Sequence, residues 1–416
     1  MKVLWITNII FPAPCQELGL PSPVFGGWML SSLETLRKLT PNIEFAVATI
    51  YDGSELKIMH YDTVTYYLLP SGRDNTRYKK ALEPLWLKVK DDFVPDVVHI
   101  HGTEYAHGLA YIRSCGADNV CVSIQGLVSV IARYYFADMT IRDIIKNITI
   151  RDILRCDTLF QQKRKFEKRG EIEEEYIKSV SHIIGRTSWD RAHIWAINPA
   201  AEYHFCNETI RPSFYNHKWE YDKCEKYTIF LSQANYPIKG VHKVLEAMPL
   251  ILRHFPDARI KIAGPSVVDK PFYRITGYGR YIRSLINKLH LEDKVTFLGL
   301  LTEEQMCEQY LKANVFVCPS SIENSPNSLG EAQILGVSCI ASYVGGAMDM
   351  MKEDANYLYR FEEVEMLAAK VCEIFELGGS YSTFSNNNAS ERHNSLINAQ
   401  SLLYIYSALA GNVIAL

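Results

Sequence analysis

Two glutamates with seven residues between them are the side chains in this sequence best suited to binding chemistry. They are Glu323 and Glu331, in CPSSIENSPNSLGEAQ (residues 318–333). A carboxylate repels a phosphate but can accept two hydrogen bonds from a sugar diol. Two carboxylates on either side of an anion site could therefore hold two hydroxylated groups. The alternative is a capped helix with two solvated glutamates.

A helix is predicted to begin between the two glutamates. Pro326 suits the first helical position, and Ser325 can act as its N-cap. The first amides of such a helix favour an anion, most simply a phosphate. The amides predicted to be free for this purpose are those of Asn327, Ser328 and Leu329. Carboxylate, helix N-terminus and carboxylate together describe a site for a sugar, a diphosphate and a ribose.

Two glycine-containing turns could complete such a site. In SQANYPIKG (residues 232–240), Lys239 precedes a glycine at the predicted start of a helix. A lysine there can neutralise a diphosphate, or it is an ordinary surface lysine. Gly26 and Gly27 follow the first predicted strand and open a helix. Glycines there let the backbone approach a ligand closely, or they form a tight turn.

The elements that position these residues form a repeating pattern. Short apolar runs alternate with helical patterns from VLWITNI (3–9) to NYLYRF (356–361). Continuous apolar strands joined by helices indicate a parallel sheet with helices on both faces. The pattern pauses at residues 209–227, which are predicted to be a linker. The prediction is an α/β fold of two doubly wound domains, with ligands beyond the carboxyl ends of the strands.

Length and composition exclude several classes of protein. A chain of 416 residues is too long for one ordinary core, and its formal charge of −3 argues against a nucleic-acid binder. No two of the ten cysteines are spaced as CxxC, and no Asp-x-Asp cluster occurs, so no metal site is predicted. The scattered thiols fit a reducing cytoplasm, and no apolar run is long enough to predict a membrane span.

Taken together and in this order, the motifs resemble those of the retaining glycosyltransferases of family 4, which have the GT-B fold. The likeness runs through nearly the whole chain. The matching pieces are the strand before Gly26 and Gly27, PDVVHIHG (95–102), GRTSWDRA (185–192), KG (239–240), FLGLLTEEQMCEQYLKANVFVCPSSIENSPNSLGEA (297–332) and GVSCIASYVGG (336–346).

The resemblance implies roles for the donor-side residues. Glu323 corresponds to a glutamate that contacts the donor sugar, Glu331 to one that holds the ribose, and Lys239 to the diphosphate lysine. Glu323 and Lys239 would be the catalytic pair. The loop of Gly26 and Gly27 would close over donor and acceptor. Further donor-binding positions are Ser232, Gln233, Asn324, Asn327, Ser328 and Leu329.

Two departures from the family pattern concern charge. The family usually has an arginine a few residues before the lysine, where this chain has Ser232 and Gln233. The family also often has a histidine in an N-domain HG pair, where SIQG supplies Gln125. Gln125 can hydrogen-bond a hydroxyl but cannot carry a charge.

Four residues of the first domain are candidates for the acceptor or sugar side. His101 ends a strand and could line the cleft, whereas His99 lies deeper and is predicted to be buried structure. Arg186 is a candidate acceptor or phosphate contact, with a structural ion pair to Asp190 as the alternative. The four candidates are His101, Glu104, Gln125 and Arg186.

The resemblance also implies the reaction and its partners. The donor would be a nucleotide-sugar, UDP- or GDP-linked, and the acceptor a glycan or a polyprenyl-diphosphate-linked glycan in capsule or exopolysaccharide assembly. We expect no protein nucleophile, no metal and no cofactor. Residues 133–170 hold ten basic and five acidic residues. Such a segment can lie on an anionic membrane on the cytoplasmic side, or it is a solvated helical face.

The predicted domains are residues 1–215, residues 216–395 and a C-terminal helix, residues 396–416, that crosses back to the first domain. Three other functions stay open. An epimerase of the same fold acts on a sugar-nucleotide without an acceptor. A dinucleotide-dependent oxidoreductase is disfavoured because GYG (277–279) lacks a third glycine and a preceding strand. A non-catalytic glycan-binding protein would have a decayed site.

Overall fold

The structure, a computed structural model, describes residues 1–21, 23, 26–72, 76–380 and 385–411. Two compact units divide the chain between them. Unit 1 comprises Met1–Val130, Phe166–Ile210 and Arg392–Leu416, and unit 2 comprises Ile131–Lys165 and Arg211–Glu391. The backbone therefore passes from one unit to the other four times.

These boundaries differ from the predicted domains (1–215, 216–395 and 396–416) mainly at residues 131–165, which were predicted to belong to the first domain. They belong to unit 2 because they contact buried residues of that unit. The carbonyl of Ala137 accepts a hydrogen bond from Nε2 of His242 at 2.9 Å, and Asp138 forms an ion pair with Lys243 at 2.5 Å.

Strands are short and mostly buried. In chain order they are β1 (Lys2–Ile6), β2 (Glu44–Tyr51), β3 (Lys57–Tyr61), β4 (Val64–Pro70), β5 (Val97–His101), β6 (Val120–Ser123), β7 (His182–Gly185), β8 (Glu202–Phe205), β9 (Thr228–Leu231), β10 (Arg259–Ile262), β11 (Val295–Phe297), β12 (Val315–Cys318), β13 (Cys339–Ser342) and β14 (Leu358–Tyr359).

Helices connect most of these strands. They are α1 (Pro12–Glu17), α2 (Gly27–Leu39), α3 (Glu83–Phe93), α4 (His107–Cys115), α5 (Val128–Ile131), α6 (Ile141–Lys146), α7 (Ile150–Leu154), α8 (Leu159–Ser179), α9 (Ser188–Ile197), α10 (Val241–His254), α11 (Gly277–Leu289), α12 (Glu303–Lys312), α13 (Asn327–Leu335), α14 (Ala347–Met350), α15 (Val364–Leu377), α16 (Ser385–Arg392) and α17 (Ser395–Leu409). Within the described ranges, none of them combines the length and apolar character needed to cross a bilayer.

The sheet of unit 1 has the order β3-β4-β2-β1-β5-β6-β7-β8. Alternate residues of β1 face opposite ways: Leu4 and Ile6 join one apolar cluster, and Val3 and Trp5 join another. The sheet is thus covered on both faces, as predicted. The edge strand β3, which pairs antiparallel with β4, was not predicted. Its only buried side chain is Met59, so its sequence lacks the apolar run of the other strands.

The sheet of unit 2 has the order β11-β10-β9-β12-β13-β14, and its neighbouring strands are parallel. This confirms the prediction of a second parallel α/β sheet. The segment 209–227, predicted to be a linker, is instead packed. The indole Nε1 of Trp219 donates to the carbonyl of Ala313 at 2.7 Å, and its amide donates to the carbonyl of Leu335 at 2.7 Å.

Candidate functional site

A lysine, a glutamate and a serine meet at the carboxyl ends of β9 and β12. Lys239 ends a short 3-10 helix between β9 and α10, and Glu323 lies in the loop between β12 and α13. The Nζ atom of Lys239 is 2.5 Å from Oε1 of Glu323, which also accepts a hydrogen bond from Oγ of Ser320 at 2.7 Å. The structure therefore brings together the two predicted catalytic side chains, 84 residues apart.

The charge of this lysine is set by its partner. Burial lowers the pKa of Lys239, but the negative charge of Glu323 and its hydrogen bond act in the opposite direction and leave the pKa above its usual range. Lys239 is therefore an ammonium throughout the physiological range. A fixed positive charge at the end of a parallel sheet can neutralise an anionic ligand.

Gly240 explains how Lys239 reaches this position. Its φ is +66°, and a Cβ atom there would lie 1.6 Å from the carbonyl oxygen of Pro319. The turn after Lys239 therefore lies directly against the end of β12, which only glycine permits. A hydrogen bond of 2.8 Å from the amide of Ser321 to the carbonyl of Ile238 joins the same two segments.

A second glycine turn holds the backbone of Glu323. Gly345 has a φ of +52°, and a Cβ atom there would lie 1.8 Å from the carbonyl oxygen of Glu323. The same oxygen accepts a hydrogen bond from the amide of Gly346 at 3.0 Å. The sequence VGG (344–346) forms this turn. Its contact with Glu323 was not predicted, because no spacing rule links the two segments.

The start of α13 differs in detail from the prediction. Pro326 has an extended ψ of 115° and is the N-cap, so the helix begins at Asn327 rather than at Pro326. Ser325 does not cap the helix, since its Oγ contacts Sδ of Met350 at 3.6 Å. The amide of Leu329 donates to the carbonyl of Pro326 at 2.9 Å and is not the free donor that was predicted.

Asn327 and Ser328 keep the positions that the prediction requires. They are the first two residues of the helix, where amides have no acceptor within the helix itself. Asn324 is buried beside Glu323, and Ser232 and Gln233 are half-buried directly after β9. All of these predicted donor-side residues lie at the carboxyl edge of the unit 2 sheet.

The second glutamate has a partner that the sequence did not reveal. Nε of Arg211 is 2.8 Å from Oε1 of Glu331, and its terminal nitrogen is 2.6 Å from the same oxygen. Burial raises the pKa of Glu331, whereas the charge of Arg211 lowers it. Arg211 lies in the segment predicted to be a linker, 120 residues from Glu331. No sequence signal connects the two residues.

In unit 1, the predicted glycine turn is present. Gly26 has a φ of +77° and is the N-cap of α2, which begins at Gly27 as the sequence predicted. Phe25 of the same motif lies outside the described residues. The turn follows β1 at the carboxyl edge of the unit 1 sheet, where the other predicted residues of this unit also lie.

Arg186 links several of those residues. Its guanidinium forms a buried ion pair with Glu208 at 2.5 Å and donates to Oε1 of Gln125 at 3.3 Å. The alternative predicted for Arg186, a structural ion pair, is thus formed with Glu208. Asp190 accepts a hydrogen bond from the backbone amide of Arg186 because it belongs to the capping box of α9.

The side chains of Glu104 and Gln125 both lie close to Gly102. A Cβ atom on Gly102 would be 2.2 Å from Oε2 of Glu104 and 3.2 Å from Cγ of Gln125. Within the described part of the chain, that Oε2 atom is buried without a hydrogen-bond partner. Burial raises the pKa of Glu104 to about 7, and the negative charge of Glu173 adds to the effect.

His101 is buried rather than placed on an open surface. Its ring packs on Trp5 and His99, with ring centroids 4.3 and 3.8 Å away. Neither ring nitrogen has a hydrogen-bond partner among the described residues, and burial holds its pKa well below the usual value. His101 and Arg186 line a small pocket of about 30 Å³.

His99 is buried, as predicted. Its two nitrogens contact the hydroxyl oxygens of Tyr406 and Ser123 at 2.6 Å each. Burial lowers the pKa of His99 to about 3, so its ring stays neutral. It therefore supports the sheet and the helix α17 rather than a ligand.

One group of side chains could hold a metal ion, although the sequence predicted no metal site. His182, Glu202 and His204 each place a ligand atom within 4.8 Å of the others. Their strands, β7 and β8, are parallel neighbours, so the group was hidden from a search based on sequence spacing. Because His182 and Glu202 begin their strands, the group lies towards the sheet edge opposite Arg186.

Comparison with known proteins identifies part of the chain. Residues 214–391 match the family described as glycosyl transferases group 1. Most of unit 2 is therefore similar to glycosyl transferases group 1. The matched segment includes Lys239, Glu323 and Glu331, and Arg211 lies just before it.

Solved structures share the fold over nearly the whole chain. A sucrose-phosphate synthase of Thermosynechococcus elongatus has a TM-score of 0.72 at 16% identity and covers 99% of both chains. HepE of Anabaena, in complex with UDP-glucose, has a TM-score of 0.65 at 15% identity and covers 98% of this chain and 100% of its own. The predicted GT-B fold is thereby confirmed.

A curated relative is similar over a shorter range. An uncharacterized glycosyltransferase of Methanocaldococcus jannaschii is 31% identical over 136 residues, which is 32% of this chain and 32% of the relative. The chain thus spans about a third of the length of that relative.

Proposed function

We propose that the protein is a retaining glycosyltransferase that moves a sugar from a UDP- or GDP-linked donor to a glycan or a lipid-linked glycan. The observation that carries this proposal is the contact of Lys239 with Glu323 beside the N-terminus of α13, inside the domain that matches the family. A cation, a helix N-terminus and a carboxylate within one loop cluster fit a sugar diphosphate.

Each donor group has a residue suited to it. Lys239 and the amides at the start of α13 would hold the diphosphate, and Glu323 would accept hydrogen bonds from sugar hydroxyls. Glu331 would accept from the ribose diol. Arg211 orients Glu331 through two contacts to one carboxylate oxygen. HepE, which has a similar fold and was solved with UDP-glucose, supports a nucleotide-sugar as the ligand.

The proposed reaction uses positioning and charge. The bond between the sugar carbon and the diphosphate breaks, and a bond from an acceptor oxygen forms on the same face. The acceptor proton passes to the departing diphosphate, whose charge Lys239 and the α13 amides stabilise. Glu323 is not assigned as a nucleophile, since its Oε1 is already bound by Lys239 and Ser320. No metal or cofactor takes part in this scheme.

We assign the acceptor side to unit 1, where Glu104, Gln125 and Arg186 form one cluster at the carboxyl edge of the sheet. His101 is buried and lines the same small pocket as Arg186. Assembly of a capsule or another surface polysaccharide on the cytoplasmic side of the membrane is the proposed setting.

Ligand binding tests the donor site first. Purified protein is melted with UDP, GDP, ADP or NAD, because a ligand that binds only the folded state raises the melting temperature. We expect one of UDP and GDP to stabilise the wild type. The shift should be lost in Lys239→Met and Glu331→Ala and kept in Lys352→Met, an exposed lysine of the same unit. A shift with NAD alone, or equal shifts in all variants, would contradict the proposal.

Turnover then distinguishes transfer from the competing chemistry. The nucleotide-sugar identified by its shift is incubated with candidate acceptors, and the products are followed by NMR. We expect an anomeric configuration equal to that of the donor and a loss of at least about 100-fold in Lys239→Met. A changed sugar-nucleotide formed without any acceptor would show an epimerase instead.

A further inference from the structure

Helix α7 and the loop of residues 269–274 lie side by side in unit 2. Oγ1 of Thr149 donates to the carbonyl of Ile275 at 3.1 Å, and the amide of Gly277 donates to a carboxylate oxygen of Asp152 at 2.7 Å. These bonds fix both segments to the start of α11. Together they line an open pocket of about 580 Å³. We call residues 150–155 together with residues 269–274 the basic–apolar surface.

The helix α7 buries its acidic residue and exposes its apolar residues. Its acidic residue Asp152 is 2% exposed, whereas Ile150, Ile153 and Leu154 are 70%, 63% and 79% exposed. The three apolar residues follow one another at positions i, i+3 and i+4, so they share one face of the helix. The neighbouring loop adds two exposed aromatic side chains, Phe272 and Tyr273. A buried carboxylate under an exposed apolar face is the reverse of an ordinary surface helix.

Cations surround the pocket within this apolar area. It is lined by Arg151, Arg155, Lys270 and Arg274, with Asp269 as its one acidic side chain. Arg151 is occupied by Asp152 and Asp157, at 3.0 Å each.

The other three pocket cations lack such neighbours. Among the described residues, no carboxylate lies within ion-pair distance of Arg155, Lys270 or Arg274. Their charge is therefore available to an external anion.

The helix before α7 repeats the arrangement. Ile141 and Ile145 of α6 are exposed one turn apart, while Ile144 between them is buried. Arg142 and Lys146 stand beside them, both exposed. Apolar side chains next to exposed cations thus continue from α7 into the preceding helix.

We infer that the basic–apolar surface docks on the anionic face of a lipid bilayer. Exposed isoleucine, leucine and phenylalanine side chains can enter the boundary between headgroups and acyl chains, and tyrosine is suited to the same depth. Unpaired arginine and lysine beside them complement lipid phosphates. Both features are needed together, which distinguishes this surface from a plain solvated basic helix.

The basic–apolar surface overlaps only in part with residues 133–170, the segment predicted from sequence to lie on a membrane. The last part of that range belongs to unit 1, where Arg169 donates to the carbonyl of Glu104 at 2.9 Å. The loop 269–274, about a hundred residues further along the chain, was not part of the prediction. Docking is measured without donor or acceptor, so it is independent of the proposed sugar transfer.

Flotation with vesicles tests the docking. The full chain is mixed with vesicles of phosphatidylcholine alone or with about 30% phosphatidylglycerol. We expect flotation only with the anionic vesicles. Arg155→Glu/Arg274→Glu should weaken binding at least about tenfold, because each cation near the surface contributes about fivefold. Ile153→Ser/Leu154→Ser should also weaken it at least about tenfold, since apolar insertion is lost.

Matched variants show whether the position matters. Lys218→Glu/Lys352→Glu has the same net charge as the arginine pair, and Leu300→Ser/Leu377→Ser removes exposed apolar side chains elsewhere in unit 2. Both should float like the wild type. Three results would overturn the inference. They are equal binding by all variants, stabilisation by inorganic phosphate without flotation, and sedimentation showing a dimer that Ile153→Ser/Leu154→Ser dissociates without any vesicle binding.

Discussion

A single carboxyl group, that of Glu104, should give the protein a measurable pH response. Its pKa is raised from 4.5 to about 7, mainly by burial. Between these two values the folded state holds a proton that the unfolded state has released. Stability should therefore fall as the pH rises through this window, by up to about 3 kcal/mol.

We expect Glu104→Gln to remove this dependence. The variant should become more stable than the wild type as the pH rises from about 5 to about 8, measured by urea unfolding at each pH. Glu353→Gln, at an exposed position, is the control and should follow the wild type. A constant difference between Glu104→Gln and wild type across this range would show that the carboxyl group titrates normally.

Residue types and spacing predicted part of the proposed donor site. Glu323, Glu331 and Lys239 were found because two of them share one loop and helix, and the third precedes a glycine. Arg211 and Ser320 were missed, although each binds one of those glutamates. Such partners are selected by the folded backbone, and a glutamate does not reveal from sequence which arginine will reach it.

At the scale of elements, the turn at Gly240 decides where Lys239 stands. Gly240→Ala would add a methyl group 1.6 Å from the carbonyl oxygen of Pro319, so the turn and β12 must separate. We expect the variant to lose nucleotide-induced stabilisation. The free energy of unfolding should also fall. The clash should add about 1–3 kcal/mol to the cost of placing an alanine at a positive φ.

Gly299→Ala is the matched control for this prediction. Gly299 has a φ of +78° but nothing within 4 Å of its Cβ position. An alanine there is therefore strained in its backbone but clashes with no other atom. Its cost should be about 1–2 kcal/mol, with nucleotide binding kept. Equal effects of the two substitutions in urea unfolding and ligand melts would mean that contact with β12 is not what places Lys239.

The order of elements was well predicted because nearly every strand is a continuous apolar run. The antiparallel edge strand β3 was missed, since only Met59 faces the core. The starts of the helices α6 and α7 could also have been predicted from sequence. Thr140 with Asp143, and Thr149 with Asp152, are threonine–acid pairs three apart that mark two helix starts. Which face each helix would bury could not be deduced from periodicity alone.

At the scale of the whole molecule, the matched family segment covers only part of unit 2. Residues 131–165 supply the carbonyl of Ala137 to the buried ring of His242, and the exposed carboxylate of Asp138 to the buried ammonium of Lys243. We expect a fragment of residues 211–391 to be at least about 1 kcal/mol less stable than the same fragment joined to 131–165 by a flexible linker, because the buried Nε2 of His242 loses its acceptor.

Urea unfolding followed by circular dichroism would measure the difference between the two fragments. In the shorter one, Lys243→Met should recover part of the lost stability, because it removes a buried charge left without Asp138. Equal unfolding midpoints would show that residues 131–165 only rest on unit 2. The sequence could not assign this segment, since its contacts lie about a hundred residues away along the chain.

All ten cysteines lie in the described part of the chain, and Cys156 alone among them is exposed. It directly follows Arg155, at the end of α7. A polarity-sensitive dye attached to the unmodified protein under mild conditions would therefore be concentrated at this one thiol. The chain thus carries a built-in optical reporter at the place where contact with lipid is proposed, and no residue has to be replaced to use it.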